Sequence, residues 1–158
     1  MEKERLDILA TDIREQQKLI DTVYREIIIR KKGYTKDRFI LESLAYQVHN
    51  LYCAFEDLFR IVANHFENHI TEPTAWHKEL LNRMKMEIKG LRPPLISEPA
   101  YKALDELRSF RHIFRHAYGA VIEPKKFKFV LQKALSLKKV YKKDIAAFLK
   151  KLSPEKNR

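Results

Sequence analysis

Apolar side chains recur at spacings of three, four and seven residues along most of this chain, and this periodicity predicts amphipathic helices. The first helix is expected from Glu4 to about Arg30, with an apolar side formed by Leu6, Leu9, Ile13, Ile20, Val23 and Ile27. Gly33 is expected to end this segment, and Thr35 is the candidate N-cap of the next helix. That second helix is expected to reach about residue 67 and to bury Leu41, Leu44, Val48, Leu51, Phe55, Leu58, Val62 and Phe66.

Three more helices are predicted in the second half of the chain. A shorter one is expected over about residues 75–89, ended by Gly90, with an inner side of Trp76, Leu80, Leu81, Met84 and Ile88. The fourth is expected to begin at Ser97 and to end at Gly119. The fifth starts around Pro124, and its apolar side comprises Phe127, Val130, Leu131, Ala134, Leu137, Val140, Tyr141, Phe148 and Leu152.

The fold class follows from these helices and from the short connections between them. No stretch alternates polar and apolar residues as a half-buried strand does. Short loops between long helices favour antiparallel neighbours. We therefore predict an all-α protein, an antiparallel up-down bundle of four to five helices. Residues 1–152 are expected to form a single helical domain, and residues 153–158 a frayed basic tail.

Composition narrows the class of protein. The chain has 158 residues, enough for one domain with its own core, and 45% of them are hydrophobic. The one cysteine, Cys53, excludes an internal disulfide and favours a reducing compartment. No apolar run approaches the roughly 20 residues that a membrane span needs. We therefore expect a cytoplasmic protein that is neither secreted nor inserted in a membrane.

Basic charge is concentrated in the last part of the chain. The net charge is +11, and the segment from Pro124 to Arg158 holds twelve Lys or Arg against Asp144 and Glu155. Such a surface binds nucleic acid or another acidic partner through its charge. A solvated, lysine-rich helix face would have the same composition, so both interpretations stand at this point.

The predicted fourth helix carries the most chemically dense stretch, from Arg108 to Tyr118. At 100° per residue, one side of this helix presents Arg108, Arg111, His112, Arg115 and His116. The other side is expected to pack into the core and presents Leu107, Phe110, Ile113 and Phe114. Neighbouring guanidinium groups repel each other and match phosphate oxygens, so the polar side is expected to bind an anion. The alternative is a basic helix end stabilised by the helix dipole.

The segment Arg111-His112-Ile-Phe-Arg-His116-Ala-Tyr118 resembles the motif of the HEPN superfamily, in which an Arg and a polar residue precede His-x-Tyr. The similarity is specifically to HepT-like ribonuclease toxins, which occur with small MNT nucleotidyltransferase antitoxins. It extends over most of the chain. The supporting segments, in order, are Tyr52-Cys-Ala-Phe-Glu56, Trp76-His77-Lys-Glu-Leu-Leu81 and Leu91-Arg-Pro-Pro-Leu-Ile-Ser97.

The resemblance implies a helical protomer that dimerises through the helix bearing this motif and cuts RNA at a shared cleft without a metal or another cofactor. Arg111 would stabilise the charge of the scissile phosphate. His116 would act as general base or acid around the 2′-hydroxyl, and the product would be a 2′,3′-cyclic phosphate. Tyr118 matches the family position to which the MNT antitoxin transfers AMP from ATP, which would neutralise the toxin.

Four further residues are expected to support this site. Arg108 and Arg115 are interpreted as extra phosphate contacts, with salt bridges across the dimer as the alternative. His112 is expected to orient Arg111 or the substrate. Glu56 is a carboxylate at the edge of an apolar helix side and so needs a cationic partner. We predict that it positions Arg111 or Arg108; an ordinary exposed acid is the alternative.

Other functions have weaker support in the sequence. No metal site is predicted, because neither zinc-module nor di-iron spacing occurs around His49, Cys53, His65 and His69. No Gly-rich phosphate loop supports an ATPase or kinase. Trp76 and His77 are expected to pack at the start of the third helix, with nucleobase stacking as the alternative. The alternatives to a nuclease are a non-catalytic HEPN-type nucleotide-binding or adaptor subunit for a nucleotidyltransferase, and a structural bundle.

Overall fold

The computed structural model describes residues 2–67, 76–116 and 121–153. Within these ranges it contains no strand and five α-helices, which are α1 (Glu2–Arg30), α2 (Arg38–Phe66), α3 (Trp76–Met84), α4 (Glu98–His116) and α5 (Pro124–Leu152). The all-α prediction is confirmed for the described part of the chain. None of the helices in these ranges combines the length and the apolar composition needed to cross a membrane.

The long helices pack as antiparallel neighbours. α1 and α2 form a hairpin in which Arg30 Nε donates to Ser43 Oγ at 2.8 Å near the connection. Farther along the same pair, Gln16 Nε2 donates to the carbonyl oxygen of Ala54 at 2.9 Å. The N-cap of α2 is Asp37 and not Thr35 as predicted, because the Asp37 carboxylate accepts from the first backbone N–H groups of the helix.

α5 runs antiparallel to both α4 and α1 and closes the bundle. At one end of α5, the Asp144 carboxylate accepts from the backbone N–H and the hydroxyl of Ser97, at 2.9 and 2.8 Å, just before α4 begins. Along α1, the Tyr24 hydroxyl donates to the backbone oxygen of Ala134 at 2.8 Å. These contacts fix α5 against the two helices it covers.

The core is formed by the predicted apolar sides of the helices. Its largest fully buried side chains are Tyr24, Tyr52, Tyr141, Phe55, Phe59, Phe127 and Phe148. Ten residues that were predicted to face inward are only partly buried, and these are Leu6, Val23, Phe66, Trp76, Ile88, Phe110, Phe114, Val130, Val140 and Leu152. They lie at the edges of the apolar sides or near helix ends, where fewer neighbours cover them.

α3 is shorter than the sequence predicted. It ends at Met84, whereas the apolar periodicity continued the helix to Lys89. After Met84 the chain turns back through Gly90, whose φ of +78° favours glycine. The carbonyl oxygen of Met84 then accepts from the backbone N–H groups of Leu95 and Ile96, so it takes no part in a further helical turn.

A buried arginine explains why the helix stops there. The side chain of Arg92 is 0% exposed and donates two hydrogen bonds to Glu67 Oε1, from Nε at 3.0 Å and from Nη2 at 2.6 Å. It also donates to the backbone oxygens of Arg83 and Met86 at 2.9 and 3.0 Å, beside the end of α3. The connection between α3 and α4 is thereby tied to the end of α2.

Candidate functional site

A polar seam runs along the contact between α2 and α4, within an otherwise apolar bundle. α2 contributes three residues spaced by three and four positions, His49, Tyr52 and Glu56. α4 contributes three residues with the same spacing, Arg108, Arg111 and Arg115. The two helices are antiparallel, so these faces meet along their length. We refer to these six residues as the α2–α4 seam.

Glu56 lies at the centre of the seam and is almost completely buried, with 4% of its side chain exposed. Its Oε1 lies 3.7 Å from Nε of Arg111, which is an ion pair longer than a hydrogen bond. Its Oε2 lies 2.6 Å from Nδ1 of His77, at the start of α3. The predicted arginine partner of Glu56 is therefore found, and the alternative of an ordinary exposed acid is wrong.

The structure distinguishes between the two arginines that were candidates for this pairing. Arg108 donates to Oδ1 of Asp105 on its own helix, with Nε and Nη2 both at 2.9 Å. Arg111, 15% exposed, is the one that faces Glu56. Its guanidinium is thus held at the boundary between the buried seam and solvent.

Three buried polar atoms of the seam have no hydrogen-bond partner among the described residues, namely His49 Nδ1, the Tyr52 hydroxyl and Arg111 Nε. Burial of a polar group without a partner typically costs about 1 to 3 kcal/mol. Such groups are rare in native proteins, and each one needs an explanation. Their clustering along one helix contact indicates a place where the fold gives up stability, as functional sites commonly do.

Burial and charge also shift the ionisation of the seam. Burial lowers the pKa of His49, and the nearby Arg111 lowers it further because a second positive charge is unfavourable there. Burial, with the Glu56 carboxylate, raises the pKa of the Tyr52 hydroxyl well above its usual range. The His49 ring also packs against Phe114, with ring centroids 5.2 Å apart.

The last turns of α4 leave the core and face solvent. Its fully buried residues all lie in its first half, at Ala100, Ala103, Leu104 and Leu107. His112, Arg115 and His116 are exposed, and the rings of His112 and His116 lie 4.7 Å apart. Ile113 was predicted to pack inward but is 61% exposed, so that prediction is wrong. The reason is that no neighbouring helix within the described ranges covers this end of α4 fully.

The predicted modification site and the predicted end of this helix, Tyr118 and Gly119, lie outside the described residues. The Arg-x4-His part of the motif is described in full. The structure places Arg111 towards the seam and His116 towards solvent on the same last turns of α4. A guanidinium paired with a buried carboxylate and an accessible imidazole therefore lie five residues apart on the same helix end.

A family model described as HepT-like protein matches residues 43–152. The chain belongs to the HepT-like family. Searches of curated proteins and of solved structures found no match. The matched HepT-like segment covers most of α2 and all of α3, α4 and α5, so it includes the whole α2–α4 seam.

His77 is the residue that the sequence did not assign to the HepT-like site. It was predicted to pack at a helix start, and the structure shows that it also makes the shortest contact of Glu56. The sequence pointed to this contact only indirectly. A buried carboxylate needs a partner, and a histidine at the start of the next helix is a candidate. No periodic pattern links residues 56 and 77, because they lie on different helices.

The described ranges contain no cluster of side chains that could bind a metal ion. No group of three or more His, Cys, Asp or Glu side chains converges there as a metal ion would require. His49 Nε2 lies 3.9 Å from Cys53 Sγ, a contact of two side chains on one helix. His69, which was considered together with His65, lies outside the described residues.

Proposed function

We propose that this HepT-like protein is a metal-independent endoribonuclease toxin that cuts tRNA or mRNA. The position of Arg111 is the observation that supports this proposal most strongly. Buried Glu56 anchors its guanidinium at the edge of the seam, on the same helix end that exposes His116. An anion-binding fork and a group that transfers protons are the two components that RNA cleavage needs from a protein.

RNA supplies its own nucleophile, the 2′-hydroxyl next to the scissile phosphate. Arg111 binds the non-bridging phosphate oxygens, where negative charge accumulates in the transition state. His116 transfers a proton at the reacting oxygens, and the products are a 2′,3′-cyclic phosphate and a 5′-hydroxyl. The chemistry uses no cofactor of the protein itself.

The remaining basic residues of α4 extend the phosphate contacts. Arg115 is exposed and follows Arg111 by one turn, so it suits a neighbouring phosphate of the same strand. Arg108 is partly neutralised by Asp105 and contributes less. The ring of His112 lies beside that of His116, with a tilt of 54° between the rings, and orients it or the substrate.

We further propose that the protein acts as a homodimer through α4. Beside exposed Ile113 lies a groove of about 630 Å³, lined in part by the apolar side chains Phe110, Phe114, Val121, Ile122 and Val130. The same groove carries side chains of both charge signs, Glu42, Glu106, Glu123 and Lys126. In a two-fold symmetric dimer, the same surface of each copy meets its counterpart. An apolar surface that carries both acidic and basic side chains is complementary to itself and therefore suits a second copy. That copy would add a second Arg111 and His116 to the cleft.

The control of the toxin is proposed to act at Tyr118. Transfer of AMP from ATP to its hydroxyl by an MNT nucleotidyltransferase antitoxin would add bulk and negative charge two residues after His116 in the sequence. Negative charge at that place repels RNA phosphates, so the modified toxin would be inactive. We place both partners in the cytoplasm, where RNA and ATP are available.

The test is cleavage of total tRNA and mRNA in EDTA by purified, unmodified protein, whose intact mass verifies a bare Tyr118. His116→Ala should lose about 10²- to 10⁴-fold in rate and Arg111→Ala about 10²- to 10³-fold. Arg25→Ala and His65→Ala, on surfaces away from the seam, are the matched controls and should cut as wild type does. Intact RNA with wild-type protein would contradict the nuclease and favour the nucleotide-binding or adaptor subunit.

A further inference from the structure

His77 stands at the start of α3, held between an acid and an aromatic ring. Its Nδ1 lies 2.6 Å from Oε2 of Glu56, whose other oxygen faces Arg111. The indole of Trp76 lies against the imidazole, with ring centroids 3.8 Å apart, and the guanidinium carbon of Arg60 lies 4.3 Å above the indole. The ring is fixed in orientation, yet 28% of the His77 side chain is exposed.

The pairing with Glu56 determines which ring nitrogen can act as a base. An ionised carboxylate can only accept a hydrogen bond, so Nδ1 of the neutral imidazole must carry the proton. Nε2 then holds a lone pair. Within the described ranges, the bond to Glu56 is the hydrogen bond found for this ring. A base oriented by a carboxylate through its other nitrogen is the arrangement that activates hydroxyl nucleophiles in hydrolases.

We propose that His77 is a second proton-transfer residue of this site, the general base that deprotonates the attacking 2′-hydroxyl. His116 is then the general acid for the leaving group. Glu56 is a positioning residue, because it orients His77 and holds Arg111 through its two oxygens. The inference rests on the ribonuclease function proposed above and assigns the base that this function left open.

The geometry places the two groups where one phosphate and its ribose would need them. A single buried carboxylate contacts both groups, the His77 imidazole at 2.6 Å through one oxygen and the Arg111 guanidinium at 3.7 Å through the other. In the complex we propose, the phosphate binds Arg111 and its adjacent 2′-hydroxyl approaches Nε2 of His77. Reacting groups must approach to about 3 to 3.5 Å, which this proximity favours.

The step balances without a further reactant. The 2′-oxygen gives its proton to Nε2 of His77 and forms a bond to phosphorus with the freed electron pair. The bond from phosphorus to the 5′-oxygen breaks, and that oxygen keeps the electron pair and takes a proton from His116. Glu56 stabilises the imidazolium formed at His77 by its negative charge. The products are the 2′,3′-cyclic phosphate and the 5′-hydroxyl.

The competing explanation is that Glu56 and His77 merely tie α3 to α2. His77→Asn separates the two, because the asparagine amide can still donate to Glu56 from near the Nδ1 position but cannot accept and return a proton. His65→Asn, a half-buried histidine elsewhere on α2, is the matched control. Glu56→Gln keeps an acceptor for His77 and removes the charge that stabilises its imidazolium.

The experiment compares these variants on an RNA that the wild type cuts. His77→Asn should lower kcat/KM by about 10²- to 10⁴-fold, with unchanged affinity for a 2′-deoxy analogue that cannot be cleaved. The acid limb of the rate profile, where a protonated base is inactive, should disappear. Glu56→Gln should lower kcat, and His65→Asn should match wild type. Wild-type kcat/KM and an unchanged pH profile in folded His77→Asn would overturn the assignment.

A sulfur substitution separates the base from the acid. Replacing the 5′-bridging oxygen by sulfur gives a leaving group that needs no proton, so cleavage by His116→Ala should be restored. Cleavage by His77→Asn should stay slow, because the 2′-hydroxyl must still lose its proton. Restoration in His77→Asn would refute the role of base. Failure of wild type to cut any RNA would instead refute the ribonuclease function, so the two failures are distinguishable.

Discussion

Nη2 of Arg92 lies 2.6 Å from Oε1 of Glu67, and the two side chains are 0% and 5% exposed. A second arginine, Arg83, donates to the other carboxylate oxygen at 2.6 Å. Two cations and one anion are therefore joined where α2 ends and α3 turns towards α4. Removal of the shared Glu67 carboxylate would leave the fully buried Arg92 guanidinium without its counter-charge, which is far more costly than loss of an exposed pair.

We therefore expect Glu67→Ala to lower the free energy of unfolding by about 3 to 5 kcal/mol, measured by urea denaturation. Lys18→Ala is the control, because it removes an exposed pair with Glu15 at 2.7 Å and should cost less than about 1 kcal/mol. Equal losses in the two variants would show that the buried network does not hold the connection.

Mild acid should destabilise the protein in part through His49. Burial, followed by Arg111, lowers the pKa of this imidazole, so the unfolded chain binds its proton at a higher pH than the folded protein does. The free energy of unfolding should therefore fall as the pH drops below about 6.5 and continue falling down to the lower pKa of the folded state. His49→Gln should lack this contribution.

The measurement is denaturant unfolding of wild type and His49→Gln at several pH values between 8 and 5. His65 is a useful companion, since burial and then Arg5 lower its pKa as well. His65→Gln should remove the part of the acid-induced fall in the free energy of unfolding that comes from His65. Parallel pH dependences for wild type and His49→Gln would contradict the prediction.

The proposed dimer predicts a specific effect at Ile113. Ile113→Asp should convert a dimer to a monomer in sedimentation and abolish cleavage, because it places a charge in the apolar contact. Protomer stability should change by less than about 1 kcal/mol, since the side chain is 61% exposed. Ile29→Asp, at a residue of α1 that is 67% exposed, should stay dimeric. A wild-type protein that remains monomeric at all concentrations would exclude this dimer.

If the basic start of α5 binds RNA, three exposed lysines there determine the salt dependence of that binding. Changing Lys125, Lys126 and Lys128 together to Gln should reduce the slope of log K against log salt by about 2 to 3, since each phosphate contact contributes about 0.7 to 0.9. The triple change at Lys31, Lys32 and Lys36 removes equal charge elsewhere and should leave the slope nearly intact. An unchanged slope in the α5 variant would favour antitoxin docking or a solvated face.

The sequence predicted the long helices well because their information is local. Periodic apolar residues and a Pro124 start signal specify α5 without knowledge of any neighbour, and the same holds for most of α1 and α2. Ile88 continued that periodicity, yet α3 stops at Met84 because Arg92 turns back to bind Glu67. That contact joins positions 25 residues apart, and no spacing rule reveals it.

In the candidate site, too, the residues on a single helix could be predicted from the sequence, whereas contacts between helices could not. Arg111 and His116 could be named from a motif on one helix, and a partner for Glu56 followed from the cost of burying a carboxylate. That His77 is the closer partner of Glu56 depends on how α3 lies against α2, which the sequence does not specify. The exposure of Ile113 likewise depends on where α4 leaves the bundle.

α4 combines a first half with four fully buried residues and a second half with none. Backbone amides from Tyr101 to Leu107 should therefore exchange with solvent only when the whole bundle unfolds. Those from Arg108 to His116 should exchange through local opening of the last turns, at a lower free energy. The helix end that bears Arg111 and His116 can thus change conformation locally while the hydrophobic core stays intact.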